Sequence, residues 1–442
     1  MIVFQNVLWL LVLIGVMIIL HEAGHFWAAR WFGVRVETFS IGFGPRLFGI
    51  RRGDTDYRLS AILFGGYVKM TGEQPGDENA DDPRSFLSKP RAQRLVIVLA
   101  GPVMNVVLAV GLLTGLFMVK YEKLADADQS AVVAHVMHDS AAAKAGIQDG
   151  DRIVRFDGKV NPTWEDISLK EISSAGRSLD VEVERNGKII HTNVTPVLDD
   201  RSGVGFAGWA APAQVEVGDL TPGMPAQKAG LKKGDILLSV NGQPVQSMYT
   251  FKELIESSQG KPVALEFERD GKRQTVTVTP VYGKFDSGPA RWVVGLNVGR
   301  HLNIISTRLS FPAALRESVQ QNMKGASLIF KFLGGIIERR MSPKSLEGPI
   351  RIAQLSGEAA REGPSAFFML MSMVSLNLAI FNLLPIPILD GGGIMLLLVE
   401  MLIRRDLSLQ VKEAVFKVGF VFLMLVVVFV IYNDISKILP TG

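Results

Sequence analysis

Four stretches of this chain are apolar over roughly 20 residues, the length that crosses the hydrocarbon core of a bilayer. They are Val7–Phe32, Leu95–Val119, Ser365–Leu384 and Val415–Tyr432, and each reads as a membrane-spanning helix. Between the first two, short apolar runs are punctuated by glycine: Gly42-Phe43-Gly44-Pro45, then Arg58–Phe64, then Gly65-Gly66-Tyr67-Val68-Lys69-Met70. This pattern predicts short strands, too apolar for an ordinary basic loop. Irregular backbone is tolerated at membrane depth where protein or water surrounds it, so a re-entrant or interfacial sheet is expected. Its edge would pair with an extended substrate by strand addition, with Gly42, Phe43, Gly44 and Tyr67 as candidate substrate-binding residues.

From residue 120 to about 285 the periodicity changes to two, with Asn-Gly and Asp-Gly turns between alternating strands such as Val181–Glu184 and Thr275–Val278. The section repeats itself. Lys144-Ala145-Gly146-Ile147-Gln148-Asp149-Gly150-Asp151 returns as Lys228-Ala229-Gly230-Leu231-Lys232-Lys233-Gly234-Asp235, an offset of 84 that also relates Glu184–Lys188 to Glu268–Lys272. Two copies of one domain are expected. Beyond them, 303–363 is helical in character. Its Ala326–Ile337 stretch is too short and glycine-broken to span, and fits a helix on the outer membrane face or a buried one.

Composition adds little that patterning does not already say. Among 442 residues, 48% are hydrophobic, and the mean hydropathy is +0.25, in keeping with several membrane spans. A formal net charge of +4 gives no reason to expect nucleic acid. Cysteine is absent, so disulfides and thiolate metal sites are excluded, and any metal must be held by His, Asp or Glu. The two short inter-span loops are basic, carrying Arg51, Arg52, Arg84 and Arg91 in the first and Arg404, Arg405 and Lys412 in the second. Both are therefore expected in the cytoplasm, with the N-terminus, the long 120–363 section and the C-terminus on the far side.

The chemistry lies where polar residues interrupt the apolar runs. His21-Glu22-Ala23-Gly24-His25 sits in the first span. On a helix, His21 and His25 stand one turn apart on one face and can share a metal, with Glu22 placed to act as base on a water. Ionisable groups cost roughly 2.5–3.5 kcal/mol each at a membrane-helix centre, so three together imply compensation such as a metal. In the third span Asn377 and Asn382 precede Pro385-Ile386-Pro387-Ile388-Leu389-Asp390-Gly391-Gly392. The prolines break the helix near the depth of HEAGH. Asp390 is then the expected third ligand, and Asn382 and Asn377 are candidate substrate contacts. Gly101-Pro102-Val103-Met104-Asn105 gives the second span a small-residue face for close packing, and Asn105 is a further substrate-binding candidate.

HExxH in the first span, GPxxN in the second, two repeats and NLLPIPILDGG in the third resemble the site-2 protease family of M50-type intramembrane zinc metalloproteases, closest to its regulator-of-sigma-E branch. The AG-[IL]-x-x-GD string of the repeats resembles PDZ domains of bacterial proteases, although a Gly-Leu-Gly-Phe-like carboxylate loop is not evident in either copy. The repeats therefore stand either as peptide binders or as spacing elements. Gly393 stands where relatives often carry His, a residue that is not among the family's ligands. The resemblance implies four transmembrane helices, two tandem periplasmic PDZ-like domains and a membrane-associated β-loop, in a bacterial inner membrane.

It also implies a Zn2+ cofactor and cleavage of single-span membrane proteins: an anti-sigma factor already trimmed by an upstream periplasmic protease, and remnant signal peptides. The expected division is 1–34 for the first span, 35–94 for the β-loop, 95–119 for the second span, and 120–200 and 201–285 for the PDZ-like domains. It continues with 303–363 for the membrane-associated helical segment, 364–394 for the third span, 395–414 for a cytoplasmic loop and 415–437 for the fourth span. A membrane-anchored PDZ scaffold without catalysis, or a metal-ion carrier, would leave HEAGH or a transport path unexplained.

Overall fold

The computed structural model describes residues 2–73, 82–199, 203–283, 290–343 and 347–438. In chain order, α1 (Ile2–Trp31) leads into β1 (Val36–Arg52) and β2 (Thr55–Met70), and then into α2 (Arg91–Val119). After β3 (Tyr121–Leu124) the first repeat comprises β4 (His135–Val136), α3 (Ala141–Lys144), β5 (Arg152–Phe156), β6 (Lys159–Val160), α4 (Trp164–Ile172), β7 (Leu179–Arg185), β8 (Lys188–Val194), β9 (Val197–Leu198), β10 (Gly205–Phe206) and β11 (Trp209–Ala210). The second comprises β12 (Val215–Leu220), α5 (Pro225–Lys228), β13 (Ile236–Val240), β14 (Gln243–Pro244), α6 (Met248–Ser257), β15 (Val263–Arg269), β16 (Lys272–Val278), β17 (Val281–Gly283), β18 (Arg291–Val293) and β19 (Leu296–Arg300). Then come β20 (Ile304–Thr307), α7 (Phe311–Ile337), α8 (Pro349–Glu362), α9 (Pro364–Leu383), α10 (Asp390–Ile403) and α11 (Leu409–Ile438).

The chain divides into two compact units: Met1–Tyr121 with Thr307–Lys331 and Leu346–Gly442, and Glu122–Ser306 with Phe332–Ser345. In the first, α1, α2, α9 and α11 are long and apolar enough to cross a membrane. Close approach of backbones holds the bundle together. A Cβ at Gly24 of α1 would lie 2.8 Å from the Ala100 carbonyl carbon of α2, so only glycine admits that crossing. Hydroxyls on α9 close two further gaps, Ser375 donating to the Asn105 carbonyl at 2.8 Å and Ser372 to that of Ala109 at 2.9 Å. At the far end of the bundle, Asp434 of α11 accepts from the backbone amides of Gly348 (2.8 Å), Ile350 (3.0 Å) and Arg351 (3.3 Å), capping the first turn of α8.

The glycine-punctuated stretch forms a curled antiparallel sheet. Residues 36–41 pair on one side with 66–70 and on the other with 56–59; Phe39, for example, faces both Val68 and Tyr57. Residues 46–52 complete the sheet by pairing with 55–60. Gly42 (φ +92°) lets the chain turn where a Cβ would meet the Ser60 and Ile62 carbonyls. One expectation fails. The 395–414 segment, expected as a loop, begins as helix: α10 runs Asp390–Ile403. Its apolar run Ile394–Ile403 follows directly on the helix break, too short to register as a span by length.

In the second unit the repeats fold alike. β6-β5-β7-β8 form one antiparallel sheet, and β16-β15-β13-β12-β19, with β14 on β13, form the other. Each repeat pairs a buried aspartate with a partly exposed arginine: Arg185 grips Asp151 (Nε to Oδ1, 2.7 Å), and Arg269 grips Asp235 (Nη2 to Oδ2, 2.6 Å). Both pairs sit at the Gly-Asp of the repeated string, where the carboxylate also caps the turn before it. The expected boundary at 200/201 and the end at 285 lie outside the described residues.

Candidate active site

HEAGH lies in the last third of α1 and is fully helical. The one-turn spacing brings Nε2 of His21 and Nε2 of His25 to 3.2 Å from each other. The opposite ring nitrogens are tied to α2. Nδ1 of His25 donates to the Ile97 carbonyl at 2.9 Å, and Nδ1 of His21 meets the Asn105 carboxamide at 3.1 Å. Fixing Nδ1 in this way leaves both Nε2 atoms free to ligate.

Asp390 arrives from the other side. The Pro385–Pro387 break ends α9, and Asp390 opens α10, where a carboxylate is favoured by the exposed amides of a first helical turn. Its Oδ2 lies 3.1 Å from His21 Nε2 and its Oδ1 3.5 Å from His25 Nε2. Oδ2 is buried and has no hydrogen-bond partner. Among the described residues, His21, His25 and Asp390 are the one group of His and acidic side chains arranged to hold a metal. Space is kept for the rings by Gly101, where a Cβ would lie 2.8 Å from His21 Nε2 and closer still to His25. Two imidazoles, one orphaned carboxylate and a glycine cradle fit a zinc ion with a fourth position open.

Glu22 projects beside this cluster and lines the same cavity as Val68 on the sheet edge. Gly66 lets that edge approach: a Cβ there would be 3.4 Å from Glu22 Cγ and 2.9 Å from Ile18. His21, Glu22, His25, Tyr67 and Asp390 all line a cavity of about 710 Å³. The chain here matches the peptidase family M50 model over residues 9–426.

The chain belongs to peptidase family M50. It is a zinc metallopeptidase of the site-2 type. The regulator of sigma-E protease RseP of Salmonella typhimurium is 32% identical, the match covering 98% of this chain and 100% of that one. RseP of Escherichia coli is 31% identical over 97% and 98%. A Treponema pallidum protein with a provisional zinc metalloprotease name is 31% identical over 96% and 97%. Among solved structures, the PDZ domain of an SdrC-like protein from Listeria monocytogenes is similar to 20% of this chain and 90% of its own, with 19% identity and a TM-score of 0.18.

The other residues singled out in this M50 chain fall in different places. Asn105 is fully buried, its carboxamide placed against the His21 ring, and it is not among the residues lining the cavity. Asn377 and Asn382 are half-buried on α9, and neither they nor Gly42, Phe43 and Gly44 line the cavity. Phe43 instead stacks on Tyr67, ring centroids 6.1 Å apart, so it supports a residue that does.

Sequence reading missed the cavity's charged wall. Arg94 of α2 lies 3.9 Å from Glu400 of α10, and Lys412 of α11 lies 2.7 Å from it. Glu400 is 1% exposed and also accepts from the Leu407 amide. The available signal was a glutamate inside the apolar run Ile394–Ile403.

Proposed function

We propose that this chain is an intramembrane endopeptidase that cuts single-span membrane proteins, with His21, His25 and Asp390 as zinc ligands and Glu22 as general base and acid. The observation that carries the reading is the convergence of these three donors beside Glu22, all within the apolar-helix unit. Held by His21, His25 and Asp390, a zinc ion would supply Lewis acidity for the scissile carbonyl and would lower the pKa of a water toward about 7. The residues supply the rest. Glu22 takes the proton from the attacking water and returns it to the leaving amine. Val68 and Gly66 offer an edge along which an unwound substrate strand would lie in register with Glu22, with Tyr67 beneath it. Unwinding is required because a helix keeps its carbonyls in internal hydrogen bonds.

The relatives named for sigma-E regulation support an anti-sigma factor, trimmed beforehand by a periplasmic protease, as the substrate, with remnant signal peptides beside it. The basic loops support an inner-membrane orientation with both termini and the two PDZ-like repeats, at 120–200 and 201–285, in the periplasm. There the repeats act as a filter that passes short stubs and rejects bulky outside domains.

Purified zinc-loaded protein should cleave a single-span model substrate in detergent, and Glu22→Gln should stop it. Retained cleavage by Glu22→Gln would overturn the mechanism. Deleting Ala131–Tyr282 with a short bridge should leave stub cleavage intact and admit the untrimmed substrate. Loss of stub cleavage with zinc still bound would overturn the filter.

A further inference from the structure

At one buried position the first repeat carries an acid where the second carries an apolar residue. Glu171 is the eighth residue of α4, and the residue 84 further on, the eighth of α6, is Ile255. Ile255 packs in an apolar cluster that includes Val294. Glu171, 6% exposed, directs its carboxylate instead at a loop amide: Oε1 accepts from the Ala207 backbone N–H and Oε2 from Trp209 Nε1 at 3.2 Å.

That loop has an equivalent in the second repeat. The Ala207 and Gly208 carbonyls accept from Ala142 and Met137, as those of Val294 and Gly295 accept from Ala226 and Thr221, and both glycines have positive φ (+83° and +79°). In each repeat the loop leads into the strand that pairs with the repeat's first strand, β11 with β4 and β19 with β12. In the first it is preceded by Gly203-Val204-Gly205-Phe206, the carboxylate-loop pattern that was not evident from sequence. Backbone amides in such a loop are the means by which a peptide's terminal carboxylate is captured.

We propose that the first repeat is a self-capped peptide-binding module: the Glu171 carboxylate occupies the Ala207 amide that a peptide's free C-terminus would take, and the second repeat, with Ile255 at that place, carries no such cap. This rests on the reading of the repeats as PDZ-like. A carboxylate on a backbone amide and an indole is a charge-assisted pair of bonds that an incoming peptide must displace. Burial pushes Glu171 up to about 7, against the two hydrogen bonds that pull it down. The charges around it are engaged elsewhere: Lys170 with Asp157, and Arg340 with Glu338 and the Ser173 carbonyl. Protonation near neutral pH therefore discharges the cap and weakens its hold.

The chain has no cysteine, so a fluorophore on Arg177→Cys reports on the first repeat and one on Lys261→Cys on the second, in the full-length protein. The probes are hexapeptides ending in Val, Leu, Ile or Phe, with free C-termini or as C-terminal amides. At pH 8, Glu171→Ile should bind free-carboxylate peptides at least 10-fold tighter at the first reporter, with no gain for the amides. Without that substitution, the first-repeat reporter should show a similar gain from pH 8 to pH 6, which needs no variant to fold. First-repeat binding at pH 8 that Glu171→Ile does not improve overturns the cap. So does the absence of both gains while the second reporter binds, and in either case the reading of the repeats stands. No binding at either reporter overturns the PDZ-like reading and the cap with it.

Discussion

The Asn105 carboxamide meets Nδ1 of His21 at 3.1 Å, on the side of the ring away from Asp390. A neutral imidazole that offers Nε2 to a metal carries its proton on Nδ1, so the carboxamide must present its oxygen to the ring. A carboxamide's nitrogen and oxygen exchange places on a half-turn. That half-turn gives Oδ1, otherwise buried without a partner, the His21 N–H to accept. Asn105→Ala should therefore weaken zinc binding about 10–100-fold, the usual effect of losing an orienting partner. Asn105→Asp, which keeps the acceptor, should retain most of it. Competition with a zinc-binding dye measures both.

Glu22 touches no donor that the metal needs. Glu22→Gln should lose cleavage by at least about 10²-fold with full zinc content, since proton transfer is what it removes. His21→Ala, His25→Ala and Asp390→Ala should lose zinc itself. Elemental analysis beside the cleavage assay separates the two classes, and full zinc occupancy in Asp390→Ala would remove it from the ligand set.

Gly101 matters through the volume it leaves empty. Gly101→Val places carbon where both imidazoles stand. Zinc content and cleavage should fall together, although residue 101 has no chemistry of its own. Gly111→Val on the same helix, where nothing lies within 4 Å of the new Cβ, should leave both unchanged.

Glu171 makes the stability of its repeat fall as pH rises. Its folded pKa is raised, to about 7, so between its ordinary value of 4.5 and 7 the folded state holds more proton than the unfolded chain. The advantage is fully present below 4.5 and is lost as pH passes through 7. At roughly 1.4 kcal/mol per unit it amounts to about 3 kcal/mol. Amide exchange of β7 and β8 should show the drift, and Glu171→Gln should flatten it.

Glu400 is the keystone of the charged wall. Removing one member of a buried pair costs about 3–5 kcal/mol, because the other is left uncompensated. Glu400→Leu, which takes away the partner of Lys412 and leaves Arg94 with Asp406 at 3.4 Å, should lower the thermal midpoint in detergent. The triple change Arg94→Met, Glu400→Leu, Lys412→Met should recover much of the loss.

What could be read in advance was local. The four spans follow from apolar run length, HEAGH from helical spacing, and Asp390 from prolines that break α9 where a carboxylate can enter. The repeat betrayed itself by a constant offset. What could not be read depended on contacts between distant segments. The place of Asn105 against the His21 ring depends on the packing of α1 on α2. α10 hid because its run Ile394–Ile403, nine apolar residues and Glu400, falls short of a span. The difference between Glu171 and Ile255 carries meaning only once the loop that each faces is known.

The histidines and the aspartate belong to differently anchored parts. His25 and His21 are tied to α2 through Ile97 and Asn105, whereas Asp390 stands on a helix that follows a proline break. A zinc ion held by all three would be a cross-link closing a loop that contains most of the chain, and it would stabilise by binding the folded state and not the unfolded one. Metal and fold are then linked equilibria. Chelation should leave the imidazoles where they are, release the start of α10, and open the chain to proteases at Leu384–Leu389 before anywhere else in the bundle.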